Sequence, residues 1–278
     1  MRKIPWMNIN LFVLTFFSTL IVGAMHENIN LLEEPAKIYK GLPFSITLLI
    51  ILLAHEFAHY TASKIHRIEA TLPYFIPAPT LFGTLGAFIK MKSPITTKNA
   101  LMDIGASGPI AGFVVSVVAV VIGLFLSNVI PIDKVKDGEF ILGSSLLFSW
   151  IASIVVGAIP NNYGLAIHSI AFAGWIGFFV TFLNLIPVGQ LDGGHIAYAL
   201  LGEKHKKVSK ILIGVMIALG VFVYEGWIVW AVLLLLLGFK HPPIIYAEVE
   251  LTPKRKLLGW IMLVIFALTF IPVPVMIK

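Results

Sequence analysis

Leu52-Leu53-Ala54-His55-Glu56-Phe57-Ala58-His59-Tyr60 sets two histidines and a glutamate inside an otherwise apolar run. Histidines four residues apart lie on one face of an α-helix, one turn from each other, close enough to share a metal ion. The glutamate between them can reach a water beside that ion. This is the His-Glu-x-x-His arrangement, in which the histidines hold zinc and the glutamate is the general base.

The solvent around this stretch follows from composition. The chain of 278 residues is 58% hydrophobic and 12% charged, with several apolar runs of about 20 residues, the length that crosses a bilayer. It reads as a polytopic membrane protein, all-α, rather than a soluble core. No cysteine is present, so disulfides and thiolate metal sites are excluded and any metal must be held by His, Asp or Glu. The net charge of +6 points to Lys and Arg in cytoplasmic loops rather than to nucleic acid.

Met1-Arg2-Lys3 precedes an apolar segment over 8–24, a first spanning helix or a signal peptide with a possible cleavage after Val22-Gly23-Ala24. An outer loop with Glu27, Glu33 and Glu34 follows. Gly41-Leu42-Pro43 then opens the helix over 43–65 that carries the opening stretch. At 1.5 Å per residue His55 and His59 lie roughly 20 Å along it, inside the bilayer and near the basic inner end at Lys64 and Arg67. Ionisable groups so placed face the protein interior and serve function.

Between Glu69 and Asn99, Pro73, Pro77, Pro79, Gly83, Gly86 and Pro94 forbid a continuous helix. Irregular backbone cannot face lipid, so the segment is expected to be a re-entrant loop with a short β-hairpin, one arm running Leu85 to Lys92. Asp103 introduces a helix over 104–127, whose Gly105, Gly108 and Gly112 permit close docking against the motif helix or simply generic small-residue packing. Asn128–Glu139 reads as a polar loop. Residues 141–159 are expected to lie in the interface or to re-enter, because a crossing there would put Glu203-Lys204-His205-Lys206-Lys207 outside.

Further spans at 168–187, 209–223, 226–239 and 257–275 bring the expected total to about seven, with Tyr224-Glu225-Gly226 as a tight outer turn. The amino terminus is then cytoplasmic, and 15 of the 20 Lys and Arg residues fall on the inner side. Three parts follow: 1–42 as first span and outer loop, 43–202 as the core that holds the motif, and 203–278 as carboxyl-terminal helices.

The second constellation is Asn184-Leu185-Ile186-Pro187-Val188-Gly189-Gln190-Leu191-Asp192-Gly193-Gly194-His195, where one proline and three glycines unwind a helix at its inner end. Asp192, one of four aspartates, sits between apolar segments with no adjacent cation. A buried carboxylate needs a partner, and two histidines on zinc lack a third protein ligand. Asp192 is the favoured third ligand and His195 the rival; Asp192 can equally serve as an N-cap for the helix after it. His168 is placed at the outer interface.

Together His55-Glu56-Phe57-Ala58-His59, the Gly83-Thr84-Leu85-Gly86 loop, Gly108-Pro109 and Asn184 to Gly194 resemble the site-2 protease family of intramembrane zinc metalloproteases, in order and spacing, over roughly residues 43–202. The resemblance implies Zn²⁺ on His55, His59 and Asp192, Glu56 as general base, and Asn184 positioning the substrate or its developing oxyanion. It also implies that Gly83, Thr84, Leu85 and Gly86 hold substrate in extended form. The segment outside the core departs from relatives that carry a peptide-binding or nucleotide-sensing domain, which leaves regulation and substrate choice open.

On this reading the partners are single-span or otherwise membrane-embedded proteins within the lipid bilayer of a prokaryotic plasma membrane, cut nearer its cytoplasmic face. The physical case is that a peptide bond within a helix is shielded and must be held extended before water attacks, which a free strand edge can do. A metal-ion transporter would need further intramembrane ligands along a path, or inverted repeats, and neither is visible. A catalytically silent scaffold of the same fold would be expected to have lost Glu56 or a ligand.

Overall fold

The structure is a computed structural model that describes residues 4–134, 140–238, 242 and 244–277. Met1-Arg2-Lys3 and the second half of the polar loop, 135–139, lie outside the described residues, as does residue 239 at the end of the expected sixth span.

The chain is mostly helical: α1 (Trp6–His26), α2 (Leu42–Ile65), α3 (Lys98–Phe125), α4 (Leu146–Val155), α5 (Ser169–Leu185), α6 (Asp192–Leu201), α7 (His205–Phe222), α8 (Gly226–Leu237) and α9 (Pro253–Thr269). Among the described residues three helical runs, Trp6–His26, Pro35–Ile65 and Lys98–Phe125, are long and apolar enough to cross a membrane. At 17 and 12 residues, α5 and α8 are short for a crossing, and α4 at 10 residues spans about 15 Å, half a hydrocarbon core.

α2 and α5 pack on α3 at the centre of the fold. Glycines make these approaches possible: a Cβ on Gly123 would lie 2.1 Å from the nitrogen of Ala171, and one on Gly177 would lie 2.0 Å from Oγ of Ser116. Around them Phe172, Trp175, Phe179 and Phe182 of α5 form a run of stacked and edge-on rings with Phe44, Trp227 and Phe266. The two buried indoles satisfy their N–H groups on backbone, Trp175 donating to Gly143 and Trp227 to Pro272, each at 2.7 Å.

Among the described residues three antiparallel strand pairs qualify the all-α expectation. β1 (Tyr74–Pro77) pairs with β2 (Thr84–Phe88), β3 (Asn128–Pro131) with β5 (Tyr163–Ala166), and β4 (Phe140–Leu142) with β6 (Val275–Ile277). The β1–β2 hairpin stands within the expected segment, though its second strand is 84–88 rather than 85–92. Beyond Phe88 the pairing continues irregularly, through Thr71 donating to the Lys90 carbonyl, a bridge of Ala70 with Met91, and Lys92 donating to Glu69.

The hairpin lies along α1. Nδ2 of Asn8 donates to the carbonyls of Leu72 and Pro73 at its base, and Oγ of Ser18 donates to the Gly83 carbonyl at its tip, 2.6 Å away. Asn8 and Ser18 are ten residues apart on one helix, about 15 Å.

Several expected boundaries move for identifiable reasons. α3 begins at Lys98, six residues before the expected start, because Thr97 caps it by accepting from the Ala100 amide. Asp103 is therefore inside the helix and does not introduce it. α9 stops at Thr269 instead of 275, where Pro272 and Pro274 follow and the chain turns into β6 against β4. Asp192 is the first residue of α6, not its cap: Leu191 holds that position and no side chain caps the helix.

Candidate metal centre

α2 runs uninterrupted through the opening stretch, and His55, Glu56 and His59 are all buried, at 4–6% exposure. The non-helical turn 186–191, with Gly189 at φ +56°, reverses the chain between α5 and α6 and delivers Asp192 to the two histidines. Nε2 of His55 and Nε2 of His59 are 3.0 Å apart, and Oδ2 of Asp192 is 3.2 Å from each. Among the described residues these three form the one group whose donor atoms converge as a metal ion requires.

The triangle fits zinc on geometry and on chemistry. Tetrahedral ligands at about 2.0–2.1 Å lie roughly 3.3 Å from one another, close to the separations seen. Nδ1 of His59 lies 2.7 Å from the Ile104 carbonyl, which can only accept, so that nitrogen carries the proton and the neutral ring presents a lone pair at Nε2. Lone pairs of an imidazole and a carboxylate crowded into one triangle call for a cation between them.

Glu56 lies within electrostatic range of His59 and Asp192, and its carboxylate faces the backbone N–H of Ile89, one residue beyond β2. The end of the hairpin thus meets the middle of the motif. Nδ2 of Asn184, on the last turn of α5, is 3.4 Å from Nε2 of His55. His195, the rival ligand, is not one of the three converging residues; its Cβ faces Gly105 of α3.

The four loop residues divide into two kinds. Gly83, at φ +75°, is pressed on the backbone of Ser18, and buried Thr84 donates to the Ile76 carbonyl at 2.8 Å while accepting from the Gly86 amide at 2.9 Å. Those two shape the turn. Leu85 is exposed, and Gly86, at φ +97°, has open space where a Cβ would be. Among the described residues β2 pairs with no strand other than β1.

Two contributors were not legible in the sequence. One is the Ile104 carbonyl, for which no side-chain signal exists. The other is a polar cluster in which Asp103 accepts from Nε and Nη2 of Arg255 and contacts Nε2 of His66 at 2.8 Å.

The sequence model of the family described as Peptidase family M50 matches residues 43–223, well over half of the chain. A probable chloroplastic zinc metalloprotease of Arabidopsis thaliana, EGY1, is 32% identical over 237 residues, covering 84% of this chain and 43% of its own length. A second from the same plant, EGY2, is 28% identical over 255 residues, covering 89% and 44%. EGY2 of Oryza sativa subsp. japonica is 27% identical over 249 residues, covering 88% and 45%. The chain thus spans less than half the length of these relatives. Their names place them in chloroplasts, which lends no support to a prokaryotic plasma membrane. With the family matched across both the helix of His55 and His59 and the turn that bears Asp192, the chain belongs to peptidase family M50, the site-2 protease family.

Proposed function

We propose that this membrane protein is a zinc-dependent intramembrane endopeptidase that cuts transmembrane segments of other proteins. The observation that carries the reading is the convergence of His55, His59 and Asp192 beside Glu56, at the point where the hairpin strand ends. When bound, zinc supplies Lewis acidity toward a scissile carbonyl and toward water. His55, His59 and Asp192 would hold it. Glu56 takes the proton of the attacking water and passes it to the leaving nitrogen. Asn184, with its amide beside His55, orients the substrate carbonyl and the charge that develops on it.

The edge of β2 away from β1 binds the substrate backbone in extended form and leads it past Ile89 to Glu56, with Leu85 and Gly86 lying along the contact. Gly83 and Thr84 hold the turn that presents this edge.

The seven-span arrangement belongs to the same reading, with the amino terminus inside and the site nearer the inner face. Its supports are the inward bias of Lys and Arg and a hairpin that follows α1 for about 15 Å from its amino-terminal end, the depth of a re-entrant loop. So does the division into 1–42, a core over 43–202 and terminal helices over 203–278; the family match begins at residue 43 and runs past 202. The order of charge suits any membrane with a basic inner side, a prokaryotic plasma membrane included. A transporter is not favoured, since no second converging group of metal-binding side chains occurs among the described residues.

Glu56→Gln tests the chemistry. The variant should keep about one zinc per chain and lose cleavage of a transmembrane substrate in proteoliposomes. Robust cleavage by Glu56→Gln would sink the mechanism.

A further inference from the structure

The wall behind the converging donors is one face of α3. A Cβ on Gly108 would lie 2.1 Å from Nε2 of His59 and 2.5 Å from two of its ring carbons. One on Gly112 would lie 3.2 Å from Nδ1 of His55, and one on Gly105 would lie 3.2 Å from the carbonyl oxygen of Asp192. Positions 105, 108 and 112 share a helix face. One turn before Gly108, the Ile104 carbonyl accepts from Nδ1 of His59 at 2.7 Å.

The His59 ring is therefore fixed at both ends. Its Nδ1 is tethered to Ile104, and its Nε2 occupies space that exists only because residue 108 has no side chain. A methyl group at 108 would force the ring to turn about its tether or to break it. Either movement carries Nε2 away from His55, 3.0 Å off, and from Asp192, 3.2 Å off. The contact at Gly112 is looser, so His55 has room to adjust where His59 has none.

We infer that Gly108 is the positioning residue of the metal centre: together with the Ile104 carbonyl it selects Nε2 of His59 as the donor atom and sets its place. This rests on the reading of His55, His59 and Asp192 as zinc ligands. α3 is thereby part of the centre without supplying a ligand, and the glycine is kept inside a helix that would form more readily with alanine.

The test uses the purified full chain in detergent, with zinc affinity read by competition against a chromophoric chelator. Wild type should bind zinc and His59→Ala should not. Gly108→Ala should bind about 10–100-fold more weakly than wild type, the range for groups that orient a metal ligand, and Gly112→Ala should lose less. In the His59→Ala background, Gly108→Ala should leave the melting temperature unchanged, because the ring it displaces is gone; a drop there would mean that the glycine serves helix docking and would overturn the inference.

A Co²⁺-loaded wild-type protein needs no substitution at 108. Its hyperfine-shifted proton spectrum should contain the exchangeable N–H of a ring bound through Nε2 and assigned to His59, and coordination through Nδ1 would overturn the inference. Wild type that binds no zinc would remove the metal reading itself, whereas zinc binding lost in His59→Ala but kept at full strength in Gly108→Ala would remove only the role of Gly108.

Discussion

Arg255 grips Asp103 through two parallel hydrogen bonds, Nε to Oδ1 at 2.8 Å and Nη2 to Oδ2 at 2.6 Å, fastening the first turn of α9 to the second turn of α3. Both side chains are about one quarter to one third exposed, so part of the attraction is screened. Arg255→Ala should destabilise the chain by about 1–2 kcal/mol, the range for charge-assisted bonds after that discount. Arg255→Lys should recover only part, since an ammonium cannot reproduce the fork. Thermal unfolding in detergent reads both, and a lysine variant that melts with wild type would mean the fork contributes nothing.

The third ligand is decided by zinc content. Asp192→Ala should lose zinc, and His195→Ala should keep it, because Asp192 converges with the histidines and His195 does not. Chelation should lower the melting temperature of wild type and leave that of Asp192→Ala unmoved, as expected when a ligand binds only the folded state. Elemental analysis after gel filtration checks the content; the reverse pattern would transfer the role to His195.

Gly83 and Gly86 separate strain from crowding. Both have positive φ, yet a Cβ at 83 would lie 2.8 Å from the Ser18 carbonyl oxygen, while one at 86 would meet nothing within 4 Å. Gly86→Ala should cost about 1 kcal/mol from backbone strain alone, and Gly83→Ala clearly more. Equal melting temperatures for the two variants would show that the contact with α1 is not tight.

Oγ of Ser18 and Nδ2 of Asn8 hold the tip and the base of the hairpin. Each change to Ala should cost about 1 kcal/mol as a lost hydrogen bond. In the functional reading both should slow proteolysis of a transmembrane substrate while leaving zinc content intact. Loss of zinc in either variant would mean that the hairpin supports the metal centre itself rather than the substrate alone.

Much of the site could be read from the chain because its signals are local. The His55, Glu56 and His59 spacing is a helix property, and the unwinding at Pro187 and Gly189 is a backbone property of those residues. Asp192 stood out because a carboxylate among apolar residues demands a partner. The glycines of α3 were legible only as small residues that permit either docking on the motif helix or generic packing; that Gly108 and Gly112 face His59 and His55 required coordinates.

What escaped was non-local. Strands β3 and β5 are separated by more than 30 residues, and β4 and β6 by more than 130, with three or four residues in each strand. Periodicity over so few residues is weak, and nothing in either strand names its mate. The end of α9 was misplaced because apolar composition continues through Phe270 and Val273 while Pro272 and Pro274 end the helix. Arg255 and Asp103 are 152 residues apart, and each alone resembles an ordinary charge near a membrane surface.

The place of α1 alongside the hairpin says what deleting that helix would take away. Asn8 and Ser18 would leave with it, as would the backbone against which Gly83 is moulded, and the turn bearing β2 would lose the frame that keeps it upright beside Glu56. A chain without α1 could keep every zinc ligand and still be unable to hold its substrate straight.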